Sequence, residues 1–249
     1  MTHSQAYSES HVDVWSIHLA VKPERVEKLR TMLSHEEDAH GARFRKREDR
    51  VRYIIAHGAL RQVLESYTGV PAAELQLERA IGGKPFLAVA DNAPLNFNLS
   101  HSSDRALIAV AKGCPVGVDI ERIDPDVDAV GIAARFFSRA EHAALLAAGE
   151  AVRLQKFFRL WVCKEAYIKA RGESISGRLA TFSIDVSDET DVRLTEDTLD
   201  PRAPRRWHIR LLKIDPSGYA AAVAVERAAG APRMIDWSPG DGGSDPAPS

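Results

Sequence analysis

The sequence predicts an α+β fold, in which helices and antiparallel strands occur together without the regular alternation of an α/β protein. Segments with alternating apolar residues near both ends of the chain predict strands, and two longer segments with apolar residues at helical spacing predict helices. Short turn sequences in the middle of the chain connect strands that can pair as a meander. Meander sheets combined with separate helices are typical of the α+β class.

The first part of the chain contains one predicted strand and two predicted helices. Residues Val12–Val21 alternate apolar and polar side chains, which predicts a strand, and Pro23 begins a helix that runs toward Leu33. A longer helix is predicted over Glu48–Tyr67, where six apolar residues recur at helical spacing, and Gly69 ends it.

The middle of the chain predicts a meander followed by two helices. Three short apolar segments within Leu95–Ile123 are separated by turn residues, including those of Lys112–Pro115. Helices are predicted over Val127–Phe137 and Ser138–Ala148, and the second begins with the Ser-x-x-Glu pattern of a capping box.

A third helix and three strands are predicted before a tail of low complexity. The helix includes Leu160–Gly172, and the strands follow at Ala180–Val186, Arg206–Ile214 and Gly218–Glu226. Residues 229–249 contain four Gly, four Pro and three Ser, so we expect this tail to be mostly disordered, with Trp237 able to dock on the folded part.

Composition argues against several classes of partner. A net charge of −2 provides no global attraction for nucleic acid or for an anionic membrane. The longest apolar run, Tyr219–Val225, is too short to span a bilayer, and the first residues lack a secretion-signal pattern. Because Cys114 and Cys163 fit neither a disulfide framework nor a zinc pair, we expect reduced thiols and a cytoplasmic location.

Two acidic residues, Asp119 and Glu121, stand two positions apart on a predicted strand. Alternate side chains share one face of a strand, so the carboxylates lie about 5 Å apart and repel by about 3 kcal/mol. Mg²⁺ or Mn²⁺ would offset this repulsion, since both prefer hard oxygen ligands, and would require a phosphate ligand and a third acid. Neutralisation by Arg122 or other basic groups on a solvated strand is an open alternative.

The helix over Leu160–Gly172 places Glu165 and Lys169 beside the apolar stripe that contains Trp161 and Ile168. An ordinary ion pair between residues four apart on a helix is one interpretation. The other is an active site, in which Glu165 is the third acid and Lys169 meets a phosphate.

Basic residues form a cluster at the start of the Glu48–Tyr67 helix, where six of the ten residues 43–52 are Lys or Arg. A small molecule that carries phosphate is a better interpretation than RNA, because the cluster is short and acids interrupt it. The alternative is that these basic residues are ordinary solvent-exposed residues at the start of a helix, some of them paired with Glu48 and Asp49. The sequence contains no glycine-rich phosphate loop and no serine or cysteine nucleophile motif.

Taken in order, five short motifs resemble those of the 4′-phosphopantetheinyl transferases. They are "GKP", "NLSHS", "VGVDIER", "FFSRAE" and "WVCKEAYIKARG", and they resemble the larger monomeric type that serves polyketide, nonribosomal-peptide and some fatty-acid carrier proteins. The resemblance implies two similar α+β halves related by a pseudo-twofold axis, with the active site between them. The boundary then falls near Gly117, which divides the chain into 1–117, 118–228 and the tail 229–249.

The resemblance also implies the reaction and its residues. The enzyme moves the 4′-phosphopantetheine arm of coenzyme A to a serine of an acyl or peptidyl carrier protein, with Mg²⁺, and releases adenosine 3′,5′-bisphosphate. The implied metal ligands are Asp119, Glu121 and Glu165, of which Glu165 is also our candidate for the general base. The residues implied to contact coenzyme A are Lys169 at the diphosphate, Lys84 and Pro85 at the adenine, Ser100 and His101 at the phosphates, and Arg52 with Arg45 at the 3′-phosphate.

Carrier recognition requires basic and apolar residues near the site, because carrier proteins are acidic around their serine. Candidates are Arg153, Lys156, Arg159, Phe136 and Phe137, with ordinary helix surface and core as the alternative. We expect a monomer without a nucleic-acid or membrane partner. The competing hypotheses are a non-catalytic degenerate relative, a basic-patch RNA-binding module, or another Mg²⁺-dependent phosphotransferase.

Overall fold

A computed structural model describes residues 11–80, 82–88, 95–188, 190–215, 217–226 and 230–238 of the chain. Within these ranges the α-helices are α1 (Pro23–Arg30), α2 (His35–Gly41), α3 (Arg47–Thr68), α4 (Ala129–Phe136), α5 (Arg139–Leu146) and α6 (Glu150–Arg171). The strands are β1 (Val12–His18), β2 (Leu77–Arg79), β3 (Pro85–Leu87), β4 (Leu95–Ser102), β5 (Arg105–Lys112), β6 (Val116–Arg122), β7 (Phe182–Asp185), β8 (Arg193–Asp197), β9 (Trp207–Leu211), β10 (Tyr219–Glu226) and β11 (Arg233–Asp236).

The strands form two main sheets and two small ribbons. The first sheet has the order β11-β1-β5-β4, in which β11 is parallel to β1 and the other pairs are antiparallel. The second sheet has the antiparallel order β6-β10-β9. The ribbons are β2-β3 and β7-β8.

The two sheets pack face to face, and each is covered on its outer face by one helix of 22 residues. Helix α3 packs on the first sheet, where Ile55 and Ile108 share a core. Helix α6 packs on the second sheet around Ile168 and Ala222. A third core between the sheets joins apolar residues of β1, β5, β6 and β10. This helix–sheet–sheet–helix arrangement of two α+β halves confirms the predicted fold class.

The predicted meander is only partly correct. Strands β4 and β5 form the expected hairpin, but β6 pairs with β10 in the other sheet, with Asp119 opposite Ala222. The left-handed Gly113 (φ 72°) lies in the turn before β6. The apolar face of β6, with Val118 and Ile120, packs against the face of the first sheet.

Five elements are absent from the sequence prediction, namely α2, β2, β3, β8 and β11. Helix α2 was too short for a periodic signal, although Ser34 and Glu37 form a complete capping box at its start. Strands β8 and β11 are also short, at five and four residues. The predicted capping box at Ser138 is confirmed.

Residues 230–238 of the tail are ordered, and the expected docking of Trp237 on the folded part is confirmed. Strand β11 pairs with β1, Arg233 forms a bidentate ion pair with Asp13 at 2.8 and 2.9 Å, and Trp237 packs against the α3 core. The physical reason is that β1 has an open backbone edge and the buried Asp13 requires a cation. Residues 239–249 lie outside the described part of the chain.

The predicted boundary at Gly117 would divide strand β6, which begins at Val116, whereas the preceding strand of the first sheet ends at Lys112. The division into 1–117 and 118–228 remains a prediction. None of the helices in the described ranges has the length and apolar character that crossing a bilayer would require.

Candidate active site

Strand β6 and helix α6 carry the predicted acids and lie unusually close together. A Cβ atom at Gly117 would overlap the carbonyl oxygen of Ala166 and the nitrogen of Ala170 in the α6 backbone. Only a glycine permits this approach. Because Asp119 and Glu121 follow on the same face of β6, the contact brings their side chains next to Glu165 and Lys169 on α6.

Lys169 pairs with Asp119 in preference to Glu165. Its Nζ atom donates to Asp119 Oδ1 at 2.5 Å and to Ser100 Oγ at 3.0 Å. Asp119 is 2% exposed, so this cation offsets a buried negative charge. The simple helix ion pair between Glu165 and Lys169 is therefore not what the structure has, and Arg122 is not the residue that neutralises Asp119.

Two buried carboxylate oxygens in this group accept no hydrogen bond in the described residues, namely Asp119 Oδ2 and Glu165 Oε1. Burial, followed by the negative charge of Asp119, raises the pKa of Glu165 to about 7, although Lys169 acts in the opposite direction. Buried oxygens without donors are uncommon in folded proteins and indicate a missing partner.

Glu121 completes the set of acids on the face of β6. Its Oε2 atom accepts a hydrogen bond from Ser102 Oγ at 2.8 Å. Burial and the charge of Asp119 raise the pKa of Glu121 despite this bond and the nearby Lys169. The three acids thus influence one another electrostatically.

The donor chemistry of this site fits Mg²⁺ or Mn²⁺, since the three side chains offer hard carboxylate oxygens and two of those oxygens lack partners. The described residues contain no preassembled group of three or more acidic, His or Cys side chains in a metal-binding arrangement. Lys169 holds one oxygen of Asp119, so Lys169 would have to move away from Asp119 when a cation binds.

Positive groups converge on His101, which follows Ser100 on β4. Partial burial, and then the charges of His57, Lys169 and Arg52, lowers the pKa of His101. Arg52 lies near the start of α3 and forms an ion pair with Asp49 at 3.2 Å. His101, Arg52 and Lys169 are thus close enough to act on one another electrostatically, with Asp49 acting in the opposite direction.

Lys84 has a different environment from the one expected. Its ammonium donates to the carbonyl oxygens of Val116 at 2.8 Å and Ala170 at 3.0 Å, which ties the start of β6 to the end of α6. Burial lowers the pKa of Lys84 to about 8. The ammonium is thus engaged with the protein, and a contact of Lys84 with adenine remains a prediction.

The other two coenzyme A candidates lie further out. Pro85 begins β3 and is partly exposed. Arg45 is exposed between α2 and α3, and no hydrogen bond or ion pair is described between it and another predicted site residue.

Sequence reasoning did not identify Ser102 or Asn98 as site residues. Both lie on the face of β4 that contains Ser100, and both bond to β6. The spacing of Asn98, Ser100 and Ser102 is the period-2 pattern of one strand face and was visible in "NLSHS".

The predicted carrier-binding residues divide into exposed and buried ones. Phe136 is 38% exposed and lies under the guanidinium of Arg135. Phe137 is 5% exposed and stacks on Phe157, so its assignment as a docking residue is wrong and it belongs to the core. Two of the basic candidates bond to carbonyl oxygens at the end of α5 and just after it, Lys156 to Ala144 and Arg153 to Ala148.

Comparisons with known proteins agree for both halves of the chain. Residues 21–113 match the N-terminal part of 4′-phosphopantetheinyl transferases, and residues 115–224 match the 4′-phosphopantetheinyl transferase superfamily. The 4′-phosphopantetheinyl transferase HetI of Nostoc sp. is 36% identical over 167 residues, which cover 66% of this chain and 70% of HetI. The 4′-phosphopantetheinyl transferase psf-1 of Bacillus pumilus is 34% identical over 83% of this chain and 84% of that protein. The 4′-phosphopantetheinyl transferase Sfp of Bacillus subtilis is 30% identical over 82% of both chains.

Proposed function

This chain belongs to the 4′-phosphopantetheinyl transferase superfamily, and from that membership we propose that the residues between β4, β6 and α6 form its active site. The enzyme transfers the 4′-phosphopantetheine arm of coenzyme A to carrier proteins. The observation that carries the proposed site is the pair of buried, unpartnered carboxylate oxygens on Asp119 and Glu165.

The proposed metal ligands are Asp119, Glu121 and Glu165, and the metal is Mg²⁺ or Mn²⁺. A divalent cation bound there would supply charge neutralisation at the diphosphate of coenzyme A, which is its usual role in phosphoryl transfer. Asp119 and Glu165 are buried and Glu121 is half-buried, so the three carboxylates together require more counter-charge than Lys169 alone supplies.

Glu165 is the proposed general base. The attacking group is the serine hydroxyl of the carrier protein, so the enzyme needs a group that accepts this proton and no nucleophile of its own. Before a cation binds, burial and Asp119 raise the pKa of Glu165 to about 7, so this carboxyl accepts protons near neutral pH better than an ordinary glutamate does, and a bound cation would lower that pKa. Glu165 would accept the proton directly or through a water molecule.

Lys169 is proposed to bind the diphosphate and to stabilise the leaving adenosine 3′,5′-bisphosphate. Coenzyme A has about four negative charges, counting its terminal phosphate near −2. The cations around His101, with Arg52 and Lys169, support binding of the phosphates in this region, and Ser100 is within hydrogen-bond distance of Lys169. Lys84 and Pro85 are proposed to lie beside the adenine, and Arg45 is proposed to assist at the 3′-phosphate.

The carrier protein is proposed to dock near α4 and α5. Exposed Phe136 with Arg135 provides an apolar contact beside positive charge, and acidic carrier proteins would be attracted to Arg153, Lys156 and Arg159. Exchanging Arg153 and Lys156 for Glu should raise the KM for the carrier and leave the KM for coenzyme A unchanged. Equal effects on both KM values would contradict this docking site.

We also propose that the enzyme acts in the cytoplasm as a monomer. Its two cysteines, Cys114 and Cys163, are buried thiols, which a reducing compartment preserves. Sedimentation equilibrium of the purified protein tests the monomer, and a dimer mass would contradict it. Cell fractionation tests the location.

Mass spectrometry of an apo carrier protein tests the activity together with the site. Incubated with coenzyme A and Mg²⁺, the wild-type enzyme should add the mass of one phosphopantetheine group to the carrier serine. An Asp119→Asn variant with unchanged folding should add it far more slowly. A panel of carrier proteins from polyketide, nonribosomal-peptide and fatty-acid systems is needed, and no shift on any of them would contradict the activity. Wild-type rates for Asp119→Asn would contradict the site alone.

A further inference from the structure

Strand β6 is joined to β4 by side chains in place of the usual backbone ladder. Three alternate backbone amides of β6 donate to three alternate side chains of β4. The bonds run from Val118 N to Asn98 Oδ1 at 2.8 Å, from Ile120 N to Ser100 Oγ at 3.4 Å, and from Arg122 N to Ser102 Oγ at 3.1 Å. We call Asn98, Ser100 and Ser102 the polar ladder.

The two serines of the polar ladder make a second bond, in each case to an acid of β6. Ser100 Oγ donates to Asp119 Oδ1 at 2.8 Å, and Ser102 Oγ donates to Glu121 Oε2 at 2.8 Å. Each hydroxyl therefore accepts from a backbone amide and donates to the carboxylate of the preceding residue. A single serine fixes both the position of the strand and the orientation of the acid.

The two serines differ in their other contacts. Ser100 also accepts from Lys169 at 3.0 Å, so its substitution would change the lysine and the acid together. The hydroxyl of Ser102 bonds to Arg122 N and to Glu121. A variant at Ser102 thus tests the orientation of Glu121 without removing a bond to Lys169.

We propose that Ser102 is a positioning residue, which orients the Glu121 carboxylate for the metal ion across the junction of the two sheets. The inference rests on the metal site proposed above. Residues that hydrogen-bond a metal-ligating carboxylate hold it in one rotamer before the metal arrives, which lowers the entropy lost on binding. Because Ser102 Oγ engages Oε2, the Oε1 atom of Glu121 stays available to a cation.

The Asn98 end of the polar ladder should keep its bond to β6 when Ser102 is changed, so that the change acts at the Glu121 end alone. Asn98 Oδ1 holds the Val118 amide, four residues before Arg122, and both Asn98 and Val118 are buried. The backbone of β6 is therefore bonded to the same partner strand at three points, of which the bond to Ser102 is the last. Loss of the Ser102 hydroxyl should free the Arg122 amide and the Glu121 carboxylate, while pairing with β10 and the bond to Asn98 keep the strand itself in place.

The test measures Mn²⁺ binding by electron paramagnetic resonance in wild type, Ser102→Ala and Ser102→Thr. The matched control is Ser183→Ala, since Ser183 is a strand serine whose hydroxyl bonds to Ser138 Oγ, away from the acids. We expect Ser102→Ala to bind Mn²⁺ about 10-fold more weakly, as removal of a group that orients a ligand usually does. Ser102→Thr should restore most of the affinity, and Ser183→Ala should bind as wild type does.

A second measurement needs neither metal nor activity. In Ser102→Ala the amide of Arg122 should exchange hydrogen faster than in wild type, while the amide of Val118 keeps its protection.

The outcomes separate this inference from the metal site itself. Wild-type Mn²⁺ affinity in Ser102→Ala would overturn the role of Ser102 and leave the metal site intact. A loss in Ser102→Thr as large as in Ser102→Ala, or an equal loss in Ser183→Ala, would also overturn it. No Mn²⁺ binding by wild type would overturn the metal site, and this inference with it.

Discussion

Lys164 and Glu165 are neighbours on α6 and both are buried, but their surroundings are opposite in kind. Lys164 donates to both oxygens of Glu141 at 2.7 and 2.8 Å and to the carbonyl oxygen of Phe182 at 2.8 Å, so all three of its donors are used. Glu165 is 4% exposed, and its Oε1 atom accepts no hydrogen bond in the described residues.

The difference shows how a structural charge is distinguished from a functional one. Glu141 also accepts from the amides of Ser138 and Ile184, so the pair of Lys164 and Glu141 joins α5, α6 and β7 into a complete network. Glu165 belongs to a group of acids that is incomplete within the protein, and its pKa is raised to about 7 by burial and by Asp119. We infer that the first pair stabilises the fold and that the second group binds a cation.

The largest expected effect is on stability, in Lys164→Met. Removing one partner of a buried pair leaves an uncompensated charge, so the free energy of unfolding should fall by about 3–5 kcal/mol. Urea denaturation measures it. A second variant, Lys164→Met with Glu141→Gln, should recover part of the loss because it removes the unpaired charge. A loss below about 1 kcal/mol would contradict the structural role of Lys164.

Glu165→Gln, the matched change at the next residue, should have the opposite effects: it should preserve stability and lower the rate of transfer. Stability should stay the same or increase, because a repelling buried charge is removed. The rate of transfer at saturating coenzyme A should fall about 100-fold or more, the usual contribution of a general base. That factor corresponds to about 2.7 kcal/mol in the activation barrier. If Glu165→Gln binds Mg²⁺ and coenzyme A normally and reacts at the wild-type rate, Glu165 is not the base.

Gly117→Ala should lower both the stability and the rate of transfer, each by less than the larger of the two changes expected above. The added Cβ must displace the α6 backbone at Ala166 and Ala170. We expect a loss of about 1–3 kcal/mol in stability, as for other overpacked sites. Activity should also fall, since Glu165 and Lys169 would move relative to Asp119. The control is Gly230→Ala, where a Cβ meets nothing within 4 Å. Equal melting temperatures and activities for the two variants would contradict the close approach.

The smallest effect is a pH dependence of stability that arises from a partly buried acid, Glu37. Burial alone would raise the pKa of Glu37, but hydrogen bonds from His57 and the Ser34 amide, with the charge of Arg61, lower it to about 2. Its folded pKa is below the ordinary 4.5, so its contribution to stability is present above pH 4.5 and is lost as the pH falls toward 2.

At pH 4 this loss amounts to about 0.8 kcal/mol relative to neutral pH. Urea denaturation of wild type and Glu37→Gln at pH 7 and pH 4 measures it, and the wild type should lose more stability than the variant. The pH dependence of stability has the opposite sign for Glu165. Its pKa is raised to about 7 in the folded protein, so its contribution to stability is lost as the pH rises through about 7. Identical pH dependence of wild type and Glu37→Gln would contradict the network around Glu37.

The fold class and the long helices could be predicted because their signals are local. The period-2 and helical patterns located β1, α3 and α6, and the Ser138 capping box marked the start of α5. The partner of β6 could not be predicted, because pairing with β10 joins residues about 100 positions apart and the sequence pattern of β6 suits either neighbour. Strand β11 was missed because it is held in place by distant residues. It pairs with the open edge of β1, and its Arg233 forms an ion pair with Asp13.

The site was predicted in its residue types and only partly in its contacts. The spacing of Asp119 and Glu121 placed them on one face, and the helix spacing placed Glu165 and Lys169 together. That Lys169 would pair with Asp119, and that Lys84 would bond to two backbone carbonyls, depends on the approach of α6 to β6 at Gly117. Such an approach is a tertiary property that no local pattern encodes.

The most direct test of the cation site is the anomalous-difference density from a crystal grown with Mn²⁺ and coenzyme A. We predict one strong peak bound by carboxylate oxygens of Asp119, Glu121 and Glu165, with Lys169 moved from Asp119 Oδ1 toward the diphosphate. Coenzyme A bound without a peak at these acids, and with Lys169 still paired to Asp119, would contradict the account.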